Sequence, residues 1–428
     1  MNPQDIHIII KTLGCKLNFS ESAAIEQKLT AKGYCVAHDQ EFGDIFIINT
    51  CAVTSMAEKK CKQMLNHIKA NNSHAKIALV GCFGALEQAK FCQHVDVIFG
   101  NKNKMQVVDW VENIIQNEAV AFEPENDNPF FSSYSIHERT RSFLKIQDGC
   151  NYHCSYCTVC IARGESRSDS IENVLDNAKD IVKHDIKEIV LTGVNVGDFH
   201  TAKNEYFVDL LKQLIKTEGL QRIRISSIEP NLLTDEIIQL CANEGKIVPH
   251  FHIPLQSGNN RILKLMRRRY QRELFAQKVE YIKSHIPHAC IAADVIVGFP
   301  GETDTDFEDT YQFIQQCDIN MLHVFPFSAR PNTPAAEMDN QISSQTKKQR
   351  SLQLIQLSEQ KKRAFYIENQ GKTYPVLFEH KQDKGFIFGF TPNYIKVKTK
   401  YNENLINQIV DVKLEELDKQ CIFHIKNI

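Results

Sequence analysis

The 428-residue chain is 24% charged and 43% hydrophobic with a formal net charge of −2, the composition of an ordinary globular protein long enough for several domains. No apolar run reaches the roughly 18 residues of a membrane span, and the near-zero charge excludes a uniformly basic nucleic-acid binder while leaving local basic patches open. Fourteen cysteines, with no apolar secretory stretch after Met1, set the expectation of a reducing compartment, the cytoplasm, where thiols serve metals or catalysis rather than disulfides.

In the N-terminal part, short apolar strands alternate with helical patterns, which predicts a parallel sheet with crossover helices. Strands at 6–11, 44–49 and 76–80 run into Leu13-Gly14-Cys15, Thr50-Cys51 and Gly81-Cys82-Phe83-Gly84. Helices are predicted to open near Asn18, where Asn18 and Glu21 have capping-box spacing, and near Ser55, with Glu58 three residues on. Ligands of an open parallel sheet bind beyond the carboxyl ends of its strands. Cys15, Cys51 and Cys82 are therefore expected to converge as a three-thiolate metal site, the alternative being three buried cysteines acting as small hydrophobes. Cys35, Cys61, Cys92, Cys241, Cys290, Cys317 and Cys421 lack this placement and read as ordinary thiols. Residues 118–128, rich in Asn, Pro and acidic side chains, break the periodicity and read as a linker.

Cys150, Cys154 and Cys157 form a C-x3-C-x2-C run. A 4Fe-4S cluster takes one thiolate per iron, so three cysteines leave one iron open. A structural zinc site is the alternative, since Cys160 completes a set of four. Around this run, strands are predicted at 143–146, 188–191, 222–226, 251–254, 291–297 and 321–325. Helical patterns alternate with them, as in Ile171, Val174, Leu175, Ala178 and Val182. Six such units suit an open barrel, with chemistry at the C-terminal mouth of its strands. Lys264, Arg267, Arg268, Arg269 and Arg272 make a basic patch or a solvated helix face.

A polar helix at 346–367 leads to short alternating strands from Gly371 onward, with turns at Lys384-Gly385 and Pro392-Asn393. Tyr394, Lys396, Lys398 and Lys400 share strand parity, leaving Ile395 and Val397 to face a core. A cationic face ending in an aromatic suits an RNA backbone and a stacked base, and equally a strand edge protected by lysines.

The triplet's spacing resembles the signature of radical S-adenosylmethionine enzymes. Together with Gly14-Cys15-Lys16-Leu17-Asn18, Asn49-Thr50-Cys51-Ala52-Val53-Thr54 and Val80-Gly81-Cys82, the whole chain resembles the methylthiotransferases. The resemblance continues through Ala162-Arg163-Gly164-Glu165-Ser166-Arg167-Ser168, Leu191-Thr192-Gly193-Val194-Asn195, His252-Ile253-Pro254-Leu255-Gln256-Ser257-Gly258 and Asp294-Val295-Ile296-Val297-Gly298-Phe299-Pro300-Gly301-Glu302. Cys160 departs from it, at a position where proline is expected.

The resemblance implies an α/β chain in three parts. These are a parallel-sheet domain at 1–118, a partial (β/α)6 radical-enzyme barrel at 136–367 and a small TRAM β-barrel that binds RNA at 371–428. It implies two 4Fe-4S clusters, one on Cys150, Cys154 and Cys157 that binds S-adenosylmethionine and cleaves it to a 5′-deoxyadenosyl radical. The other, on Cys15, Cys51 and Cys82, would hold the sulfur to be transferred. Tyr156 would neighbour the adenine; Gly193, Glu229, Gln256, Ser257, Gly298, Pro300, Gly301 and Glu302 are candidate cofactor contacts.

Members methylthiolate an adenosine beside the tRNA anticodon or an aspartate of a small-subunit ribosomal protein. The segment from Gly371 has nine lysines against seven acidic residues, less acidic than a basic protein partner would favour. Ile225-Ser226-Ser227-Ile228-Glu229-Pro230, Gln147-Asp148-Gly149-Cys150 and Gly389-Phe390-Thr391-Pro392-Asn393-Tyr394-Ile395-Lys396-Val397 most resemble the group acting on N6-threonylcarbamoyladenosine. The isopentenyladenosine enzymes are the alternative, and a non-catalytic electron carrier or RNA-binding protein the reading from another class. A monomer that takes electrons from a reduced flavodoxin or ferredoxin is expected.

Overall fold

The computed structural model describes residues 5–38, 40–51, 55–86, 93–116, 130–136 and 140–426. The predicted linker at 118–128, Cys92 and the motif residues Ala52, Val53 and Thr54 lie outside them.

Five parallel strands open the chain: β1 His7–Thr12, β2 Cys35–Ala37, β3 Ile45–Thr50, β4 Lys76–Gly81 and β5 Val97–Phe99, in the order β2-β1-β3-β4-β5. Alternation sends Ile8, Ile10, Ile45 and Ile47 to one face, against Ile25, Leu29 and Trp110 of helices Lys16–Ala31 and Val107–Gln116. Ile9, Phe46 and Ile48 go to the other face, against Cys61, Leu65 and Ile68 of helix Ser55–Asn71. Both faces are covered, as a parallel sheet requires.

The second unit is a barrel of six parallel strands adjacent in chain order: Arg141–Lys145, Glu188–Thr192, Arg222–Ile225, His250–His252, Cys290–Val297 and Met321–Pro326. Bridges Ile223 to Ile247 and Ser227 to His252 join its two ladders. The barrel stays open, and a short antiparallel strand, Ser133–Tyr134, lines one edge. Helix Lys16–Ala31 packs on that edge, with Phe19 and Phe143 rings 6.5 Å apart and Ser133 donating to Ser20. The first unit thus closes the side of the second.

After helix Ser344–Asn369, a six-stranded curled sheet forms a half-barrel consistent with the expected TRAM fold. Its Lys384-Gly385 turn has both residues at positive φ, the backbone that tight hairpins demand. Ile395 and Val397 are buried in its core with Tyr366 and Phe365 of the long helix. This sheet covers the N-terminal ends of the barrel strands. Arg222 and Arg224 donate to the Phe390 and Pro392 carbonyls at 3.1 and 3.2 Å, and Arg141 pairs with Glu379 at 2.6 Å. Among the described residues, no helix is long and apolar enough to cross a membrane.

Candidate active site

Cys150, Cys154 and Cys157 lie in the loop after strand Gln147–Asp148. Gly149 starts the loop at φ +70°, and a Cβ there would run into the Glu165 carbonyl. Gly149→Ala is expected to cost about 1–3 kcal/mol locally and to lower the iron bound per chain after anaerobic reconstitution; wild-type iron content would show that the loop tolerates a side chain. Burial pushes the Cys150 and Cys157 thiols up to about 11 and about 12, and the neighbouring cysteines add to it. Two donors aim at the sulfurs: the Val159 N–H at Cys157 Sγ, 3.4 Å, and Arg268 Nη1 at Cys154 Sγ, 3.1 Å. Crowded, donor-supplied thiols that burial keeps protonated suit a cation that displaces their protons. The loop therefore fits an iron-sulfur cluster.

Arg268 is the residue that sequence reasoning misplaced. Read as part of a surface patch, it has a buried side chain, 3% exposed, that bridges Cys154, the Tyr156 hydroxyl at 3.4 Å and the Glu229 carboxylate. Burial raises the Glu229 carboxyl, against the lowering effect of Arg268. A helical run of five cations reads as solvated from composition alone; only the turn after helix Asn260–Leu265, with Arg267 at φ +57°, folds Arg268 inward. Arg272 pairs outside with Asp309 at 2.7 Å.

Other predicted contacts divide. Tyr156 packs edge-on to Phe299 beside the loop. A Cβ on Gly193 would lie 2.9 Å from the side-chain oxygen of Gln147, whose amide donates to the Gly149 carbonyl. Gln256 bridges into strand Cys290–Val297 through its backbone. Ser257 turns into the wall, bonded to Thr310 and the Asn259 N–H. Glu302 accepts from the Gly298 N–H and from Arg350, so it locks its own turn. Gly298, at φ +71°, leaves room there for Lys347, while Pro300 is buried.

On the first sheet, Cys51 and Cys82 follow the paired residues Thr50 and Gly81, and Cys15 caps helix Lys16–Ala31. A Cβ on Gly14 would lie 2.6 Å from Cys51 Cβ, Cys82 is near enough to help raise the Cys15 thiol, after burial, and Asn101 donates to Cys82 Sγ at 3.4 Å. The strand ends bring the three thiols to one edge. Asn18 and Glu21 do not form the expected capping box, because the helix opens earlier, at Lys16. Instead Asn18 accepts from Arg163 at 2.8 Å, and Glu21 lies in a buried ionic cluster with Lys104, Lys145 and Arg163, which also holds Asp148. That cluster joins the two cysteine-bearing units.

Between the units lies a chamber of about 740 Å³, the size of a small-ligand pocket. Cys15 and Lys16 open into it, which is why they are exposed at the surface of the chain yet surrounded by protein. Burial, then Arg224 and Arg141, brings Lys16 down to about 8. His252 donates or accepts at both ring nitrogens, with Ser227 at 3.0 Å and Asp294 at 2.7 Å, and His323 completes a trio on the chamber wall. Tyr394 departs from the open face expected of it. At φ +65° it turns under the barrel, stacked between His250 at 4.5 Å and Phe390 at 4.8 Å, and floors the chamber. Strand parity fixed which residues share a side but not what covers that side. Lys396 lies over Phe388, Lys398 pairs with Asp418 at 2.7 Å, and Lys400 is exposed.

The model of the radical SAM superfamily matches residues 144–314, and that of uncharacterized protein family UPF0004 matches residues 7–100. The threonylcarbamoyladenosine tRNA methylthiotransferase MtaB of Bacillus subtilis is 37% identical over 95% of this chain and 93% of its own length. The chain belongs to the radical S-adenosylmethionine methylthiotransferases. Another member, tRNA-2-methylthio-N(6)-dimethylallyladenosine synthase of Pelotomaculum thermopropionicum, is 34% identical over 94% of each chain. In fold, this methylthiotransferase is similar to TsrM from Kitasatospora setae, a radical S-adenosylmethionine methyltransferase, with TM-score 0.59, 11% identity and 77% of both chains covered. As a radical S-adenosylmethionine enzyme it uses a 4Fe-4S cluster and that cofactor.

Proposed function

We propose that the chain adds a methylthio group to C2 of N6-threonylcarbamoyladenosine beside the tRNA anticodon. The observation that carries the reading is the chamber: Cys15 opens into it from the first sheet, and the barrel whose mouth bears Cys150, Cys154 and Cys157 forms its wall. Residues 1–118, 136–367 and 371–428 are the three working units, and a second cluster belongs on Cys15, Cys51 and Cys82. When bound, the clusters and S-adenosylmethionine supply the electron, the hydrogen-abstracting power and the methylated sulfur. Arg268 and Glu229 orient the cofactor beside Tyr156, and Gly193 lets it approach the Gln147 backbone loop. The lysines at 396, 398 and 400 track the RNA backbone, while Tyr394 serves the chamber floor. Electrons come from a reduced flavodoxin or ferredoxin to a cytoplasmic monomer.

The named relatives support the choice of nucleoside. Nucleoside mass spectrometry of tRNA from a strain lacking the gene tests it. The methylthio group should vanish from threonylcarbamoyladenosine; loss from the isopentenyl nucleoside alone would move the enzyme to that substrate, and unchanged tRNA would leave the ribosomal aspartate.

A further inference from the structure

The charge lining of the chamber is unequal. Lys16, Arg141 and Arg224 face it, and its lining carboxylate, Asp294, is already bonded to His252. Arg141 and Arg224 share Glu188 behind the wall, at 4.0 and 2.7 Å, and Arg141 has Glu379 in addition. Lys16 differs. Among the described residues its ammonium has no hydrogen-bond or ion-pair partner, although it stands in a chamber roofed by helix Lys16–Ala31 and floored by Tyr394. Lys16 is exposed within the chamber, but an ammonium that a bound substrate takes out of water without giving it a partner is costly. An apolar substituent filling this space would remove the remaining water from Lys16 and give nothing back; an anionic one would complete the pair with a charge-assisted hydrogen bond.

We infer that Lys16 is a specificity residue that holds a carboxylate on the N6 substituent of the substrate adenine. This rests on the threonylcarbamoyl reading above and adds to it the group that is recognised and the residue that recognises it. The position of Lys16 follows from its neighbour: Cys15 faces the same space, so a base whose carboxylate meets Lys16 is held beside the thiol edge where sulfur is to be delivered. Arg141 and Arg224, already engaged, set the sign of the field without offering a free partner.

The test uses reconstituted full-length enzyme and anticodon stem-loop RNA carrying the threonylcarbamoyl group as the free acid or as its methyl ester, measuring both equilibrium binding and methylthiolation. Wild-type protein should bind the acid about tenfold or more tighter than the ester, the size of a charge-assisted hydrogen bond. Lys16→Met should bring the acid to within about twofold of the ester, and Lys16→Arg should restore a preference for the acid. The acid and ester comparison on wild-type enzyme is independent of how well the variants fold. Equal binding of acid and ester by wild-type enzyme that still modifies the acid would overturn the role of Lys16 alone. Failure of wild-type enzyme to modify the acid at all would sink the threonylcarbamoyl reading with it.

Discussion

Replacing Arg163 by methionine is expected to destabilise the protein by about 3–5 kcal/mol, the usual cost of removing one partner from a buried ionic group, seen as a lower urea midpoint. Arg163 is 3% exposed and reaches Glu21, Asp148 and Asn18 at 2.8 to 2.9 Å. Two of these acceptors belong to the first sheet's helix and one to the short strand that leads into the cluster loop, so the variant loosens both units at once. Lys104 and Lys145 remain on Glu21, but a single ammonium cannot span three acceptors, and Arg163→Lys should recover only part of the loss.

The same cluster sets a pH dependence. Burial alone would raise Glu21 and Asp148. Arg163, Lys104 and Lys145 around the first, and Lys145, Arg163 and Arg167 around the second, outweigh burial and hold both carboxyls well below the usual range. A carboxyl with a folded pKa below its unfolded value of about 4 stabilises fully above that value. The contribution is withdrawn as pH falls through the folded values. In Arg163→Met the acid transition should therefore begin at higher pH than in wild type; coincident acid transitions would show that these carboxylates do not depend on Arg163.

Cys51→Ala is expected to abolish the methylthio product while 5′-deoxyadenosine still forms. Cys51 and Cys82 follow the paired strand-end residues Thr50 and Gly81, remote in sequence from the loop proposed to cleave S-adenosylmethionine, so on the proposed assignment the loss of Cys51 removes the sulfur site and spares the other. Cys154→Ala should lose both outputs. Liquid chromatography with mass detection reads both compounds from one reaction, and full product from Cys51→Ala would remove sulfur transfer from the first sheet.

Strand alternation and the cysteines at strand ends were legible because both are local: a period of two and a turn position do not depend on distant chain. Observed barrel strands lie within two residues of those expected. Asn18 and Glu21 were misread because an Asn and a Glu three apart have the same spacing whether they cap a helix or point sideways to Arg163. Arg268 was misread because a run of cations does not show which of them the backbone turns inward. Ser257 and Glu302 were candidate contacts through the family resemblance, yet Thr310 and Arg350, each far along the chain, draw them into the wall. Each miss turns on a partner supplied by another element.

The chamber is walled by residues from Gly14 through Phe325 and floored by Tyr394. Domains emerging from the ribosome fold from the N-terminus onward. During synthesis, the cysteine loop at 150–157 is thus delivered long before the floor, and the cavity is a bottomless tube until the last sheet docks on Arg222 and Arg224.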